Sequence, residues 1–136
     1  MTLIFCLDDR DGMTFNSRRQ SRDREVIRDI LTEASGSVLC ISEYSKRLFA
    51  DRENLISVTN AFSSDDEYCF IEQYPENAEE LTAVADKIII YRWNKLYPSD
   101  VRLWFNPEEC GFIRSRSIDF PGHSHDIITK EIYTKL

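Results

Sequence analysis

The chain of 136 residues carries 24 Asp and Glu against 17 Lys and Arg, a net charge of −7, with 42% hydrophobic and 30% charged residues. That length is one domain with a single core, and the acidic balance speaks against nucleic acid, whose binders show a basic face. No apolar run nears the ~18 residues that span a bilayer, and no secretory signal opens the chain, so a cytoplasmic protein without a membrane partner is expected.

In chain order, Leu3–Leu7 reads as a strand, broken by an acidic turn and then by Gly12-Met13-Thr14-Phe15-Asn16. Val26, Ile27, Ile30 and Leu31 recur at helical spacing behind Ser21 or Asp23 as a cap, and Gly36 ends that helix. Val38–Ser42 is a second strand, Ser45–Phe49 a short helix, Leu55–Thr59 a third strand and Glu67–Ile71 a fourth. Glu76–Ala85 is helical in composition, with Pro75 at its mouth. Lys87–Trp93 has the β-branched, continuously apolar look of a buried strand. Phe112–Ile118 and Ile127–Tyr133 are two further strands around a Phe120-Pro121-Gly122 turn. Alternating strands and helices predict an α/β domain with a mostly parallel central sheet, flanking helices and a C-terminal antiparallel hairpin.

Cys6, Cys40, Cys69 and Cys110 form no C-x-x-C pair. They read as free thiols in a reducing compartment. Arg18, Arg19, Arg22, Arg24 and Arg28 crowd into one stretch. Two readings stand: a solvated helix entry partly neutralised by Asp23, Glu25 and Asp29, or an anion site for a phosphate or carboxylate. The commonness of mixed charge on helix surfaces favours the first.

His123-Ser124-His125-Asp126 is the one histidine cluster and resembles the start of the H-x-H-x-D-H motif of metallo-β-lactamase-type nucleases. Ile127 and Ile128 occupy the remaining metal-ligand places, so no two-metal site follows and no metal is expected. No serine or cysteine sits in a motif with a histidine base. Tyr91, Trp93, Tyr97, Trp104 and Phe105 line either a pocket for a flat ring or the core, and Trp104-Phe105 is a candidate partner surface.

Over nearly its whole length the chain resembles dihydrofolate reductase in the order and spacing of its pieces. Leu3–Asn16 is similar to the family's first strand, acidic break and mobile loop, with Gly12 and Asn16 as the loop's first glycine and closing asparagine. Val38-Leu39-Cys40, Arg52 with Asn54-Leu55-Ile56-Ser57, Ala85-Asp86-Lys87-Ile88, Tyr97-Pro98-Ser99-Asp100, Ser124-His125 and Glu131-Ile132-Tyr133 look like later landmarks. The resemblance implies a single domain over 1–136 with the dihydrofolate-reductase fold. It implies Gly12, Asn16 and Arg52 on the substrate side, Arg52 matching the arginine that clamps folate's glutamate carboxylate. By counting from Asn16, Glu25 matches the acid that helps protonate the pterin. Helix periodicity instead turns Glu25 toward solvent, and an ordinary loop arginine is the alternative for Arg52.

The departures fall on the cofactor side. Gln73-Tyr74 replaces the family's paired glycines, and Ile41-Ser42-Glu43-Tyr44 its Gly-Arg/Lys-x-Thr stretch. Phosphate approaches a backbone closely only past glycine, and a glutamate repels it. The expectation is a diverged, non-catalytic domain without a cofactor. It would bind a small molecule or a basic protein partner, in a regulatory or immunity-type role. The alternative is an NAD(P)H-dependent reductase of a pterin- or folate-like substrate, with NADPH as cofactor and Glu25 as acid.

Overall fold

The computed structural model describes residues Met1–Leu136. Its strands are β1 (Thr2–Leu7), β2 (Gly12–Phe15), β3 (Arg18–Arg19), β4 (Leu39–Ser42), β5 (Ile56–Thr59), β6 (Tyr68–Phe70), β7 (Lys87–Arg92), β8 (Val101–Arg102), β9 (Phe112–Pro121) and β10 (Ile127–Lys135). The helices are α1 (Arg24–Glu33) and α2 (Ala78–Val84). A 3₁₀ segment, Glu43–Leu55, links β4 to β5 and is interrupted by non-helical Phe49 and Arg52. No helix is long and apolar enough to cross a membrane.

Seven strands form one sheet in the order β5-β4-β6-β1-β7-β10-β9. The first five run parallel, and β10 pairs antiparallel with both β7 and β9. A strand flanked by helices on both faces must be apolar on both, which is why β1 reads Leu-Ile-Phe-Cys-Leu without alternation. Its side chains still divide by parity. Leu3, Phe5 and Leu7 face the layer with Leu81 of α2, while Ile4 packs with Val26 and Ile30 of α1. Parallel pairing puts the carboxyl ends of β1, β4 and β6 along one edge, the place where open α/β sheets bind ligands.

Three local readings change. The segment resembling a mobile loop is a β-hairpin: Thr14 pairs Arg19 and Phe15 pairs Arg18. Asn16 and Ser17 turn it at φ 50° and 61°, a tight hairpin turn that asparagine tolerates. The β2 strand also pairs with β8, closing a small second sheet. The helix expected over Glu76–Ala85 starts later, at Ala78, because Asn77 spends its amide on the Phe62 carbonyl (2.7 Å) and does not cap with its side chain. The closing turn moves from Phe120–Gly122 to the residues after β9, since pairing continues to Ile127 opposite Pro121.

Candidate functional site

The carboxyl edge of the sheet is occupied by side chains. Arg19, delivered there by the β2–β3 hairpin, donates from Nε and Nη2 to the two carboxylate oxygens of Glu72, both at 2.9 Å. Ser45 Oγ donates to the same carboxylate at 2.8 Å, and Arg19 also reaches the Tyr44 carbonyl at 3.3 Å while lying over the Tyr44 ring. Desolvation, and then the Glu72 charge, push the Cys6 thiol well above its ordinary range, which favours its neutral form. Tyr74 meets Trp104 edge-on at 5.5 Å between ring centroids, and Trp104 and Phe105 pack on Phe5. None of the three principal cavities is lined by Tyr44, Gln73 or Tyr74.

A second knot, at the end of β1, centres on fully buried Asp8. Its carboxylate accepts from the backbone N–H of Gly12 (2.7 Å), Arg10 (2.8 Å) and Tyr97 (3.3 Å), and from Gln20 Nε2 (2.9 Å). Burial opposes the charge, but these donors outweigh it and hold the carboxyl below its usual range. The backbone of Gly12 comes so close that an added Cβ would stand 2.6 Å from both Asp8 Oδ2 and Gln20 Nε2. Glycine at position 12 is thus demanded by this knot.

The third arrangement joins the two chain halves. Asp23 caps α1 by accepting the Glu25 N–H at 2.9 Å. The same carboxylate accepts N–H groups from His123 (2.9 Å), Ser124 (2.8 Å) and His125 (3.1 Å) in the β9–β10 turn. His125 adds its ring: Nδ1 lies 3.0 Å from Asp23 Oδ2, so Nδ1 carries the proton, because an ionised carboxylate only accepts. Burial works against the Asp23 charge, yet the His123 and His125 donors lead a set that holds its carboxyl far below the usual range. Beyond it, His125 Nε2 faces Ser21 Oγ at 2.9 Å and the Tyr97 hydroxyl at 3.2 Å, with the ring stacked on Trp93. Ser21, His125 and Asp23 thus stand in Ser–His–Asp order. Ser21 nonetheless lines none of the principal cavities, and Tyr97 shares its partner nitrogen, so the chain works as a staple between α1 and the last turn.

Beside that staple opens the largest of these cavities, about 770 Å³, between α1 and the 3₁₀ segment. Arg22, Arg24 and Arg28 line it from the α1 side, and Arg47 and Arg52 from the opposite wall. Ile27, Leu31, Leu48, Phe49 and Leu55 supply an apolar floor. Of the five guanidinium groups only Arg28 has an ion-pair partner, Glu25 at 3.2 Å. The two lining aspartates are Asp23, committed to the staple, and Asp51.

The residues singled out from sequence therefore part company. Arg52 lines the cleft. Glu25 is half-exposed on α1, turned to Arg28. Gly12 and Asn16 sit on the β2–β3 hairpin, Gly12 in the Asp8 knot and Asn16 donating its N–H to Asp100 at 3.1 Å. Of the arginine stretch, Arg19 plugs the sheet edge while Arg22, Arg24 and Arg28 turn to the cleft. Arg47 carried no signal in the sequence, because a lone arginine in a short helix gains meaning only from the opposite wall. The His125 staple was hidden by a separation of 104 residues from Ser21.

No family model matches the chain, and no curated protein matches it. Among solved structures it is similar to the dihydrofolate reductase of Enterococcus faecalis complexed with NADP(H) and RAB-propyl. The TM-score is 0.69 at 8% sequence identity, covering 98% of this chain and 94% of that one. The domain has the dihydrofolate-reductase-like fold, with which its mostly parallel sheet and antiparallel final hairpin agree.

Proposed function

We propose that this domain is a non-catalytic, diverged form of the dihydrofolate-reductase-like fold that binds a small anionic molecule in the arginine-lined cleft between α1 and the 3₁₀ segment. One observation carries the reading: the cleft is open and lined by five arginines, four of them without an ion-pair partner. The filled sheet edge supports it from the other side. A dinucleotide lying across the ends of β4 and β6 would have to displace the Arg19–Glu72 pair and the Ser45 bond, with no glycine-lined backbone to receive its phosphates. Glu25, half-exposed on α1 and paired with Arg28, is turned away from any enclosed site where an acid catalyst would meet a substrate.

The test is a thermal-shift titration with NADPH, with dihydrofolate and with simple anions, on the natural chain and on Arg47→Gln/Arg52→Gln. A ligand at a hundred times its dissociation constant adds about 2.7 kcal/mol, several degrees for a domain of this size. The expected result is a shift with anionic ligands that disappears in the double variant. NADPH is itself polyanionic, so a shift it causes that survives the arginine substitutions, or NADPH oxidation on adding dihydrofolate, would overturn the reading in favour of a reductase. Absence of any anion-induced shift would overturn it as well.

A further inference from the structure

Resting on that reading of the cleft, we infer that its ligand is an organic phosphate or diphosphate, recognised through tetrahedral oxyanion groups held between the two arginine walls. Carboxylates are not the preferred anion. The argument begins with stoichiometry. Five arginines against two lining aspartates and Glu25, the partner of Arg28, leave a formal excess of two positive charges around one cavity, inside a chain whose total is −7. A carboxylate offers a single charge and two coplanar oxygens, and one guanidinium fork saturates it. A phosphate carries close to two charges and presents its oxygens tetrahedrally, so it accepts from forks arriving from different directions.

Different directions are what the fold supplies. Arg24 and Arg28 stand one helical turn apart on α1, Arg22 precedes the helix, and Arg47 and Arg52 come from the facing segment. Asp23 does not cancel them: the cap N–H, the three N–H groups of the last turn and the His125 ring already take up its charge. Leu31, Leu48, Phe49 and Leu55 provide an apolar surface beside the charges. A bare inorganic ion has no use for such a floor, so the phosphate belongs to a molecule with an apolar or aromatic body.

Isothermal titration calorimetry with inorganic pyrophosphate and with citrate, anions of similar charge at neutral pH, separates the geometries. The inference predicts one pyrophosphate site, about tenfold or more tighter than citrate. It further predicts that Arg24→Gln and Arg47→Gln, one from each wall, each weaken pyrophosphate by about tenfold. Both residues are exposed, so the fold should survive, as circular dichroism would verify. Arg116→Gln, on the exposed outer strand β9, is the control and leaves the affinity unchanged. Citrate binding as tightly as pyrophosphate would overturn the phosphate assignment and leave the anion cleft standing. Pyrophosphate binding indifferent to both wall variants would overturn the assignment too. Binding of neither anion would remove the cleft reading itself.

Discussion

Asp23 is fully buried at the start of a surface helix, and it remains charged because every direction around its carboxylate holds a donor. Replacing it with alanine removes the helix cap and strands the N–H groups of the final turn, a loss of about 3 kcal/mol read from urea unfolding. The acid limb follows from the direction of its shift. Asp8 and Asp23 are both held below their ordinary range, so the unfolded chain takes up protons that the folded one refuses. Their contribution is complete above about pH 4 and drains away as pH falls below it. Urea midpoints measured from about pH 5 to pH 2 should therefore drop, and Asp23→Asn should flatten part of that drop. At the same knot, a Cβ on Gly122 would lie 2.6 Å from the His125 carbonyl oxygen and 2.7 Å from Asp23 Oδ2. Gly122→Ala should cost about 1–3 kcal/mol, and an unchanged unfolding midpoint would show that the turn gives way freely.

At the scale of elements, the β2–β3 hairpin decides what the sheet edge can accept. It swings Arg19 over the ends of β4 and β6, where Glu72 is nine-tenths buried. Breaking such a pair from one side leaves an uncompensated buried charge, so Arg19→Ala should destabilise by about 3 kcal/mol. Replacing both Arg19 and Glu72 with leucine should recover most of that loss, because two apolar groups need no partner. A double variant no more stable than Arg19→Ala would mean that the pair is not the source of the cost. The β10 strand carries a comparable buried charge: Lys130 is held by Asp29 and Glu33 of α1, and the Tyr91 hydroxyl donates to that same Asp29 at 2.5 Å. Burial, with the Asp29 hydrogen bond next, pushes the Tyr91 hydroxyl far above its ordinary range, so it stays a neutral donor there.

For the whole molecule the informative quantity is how charge is distributed. An acidic chain concentrates five exposed arginines around one cleft. Exposed guanidinium groups are screened by salt over about 8–10 Å at physiological ionic strength. Anion affinity in the cleft should therefore fall severalfold between about 0.05 and 0.5 M salt, whereas the denaturant midpoint, set by buried pairs, should move little. Equal salt dependence of the two would place the binding arginines inside the fold's own network.

Part of this protein is written locally. The unbroken apolar runs of β1 and β7 follow from burial on both sheet faces, and the cap-and-periodicity pattern of α1 from its one-sided packing. Those signals need only neighbours within a few residues, and they were enough to give the fold class, while the likeness to dihydrofolate reductase rested on the order and spacing of short motifs along the chain. The site needed more. Arg19 differs from Arg22 and Arg24 by nothing in composition, yet one fills the sheet edge and the others line the cleft, because a hairpin and a helix turn them different ways. His125 gained a role only when the last turn met Asp23, and Arg47 only when the 3₁₀ segment faced α1. Secondary structure is dictated by periodicity along the chain, whereas a site is a coincidence of side chains far apart in sequence, which only the closed tertiary structure brings together.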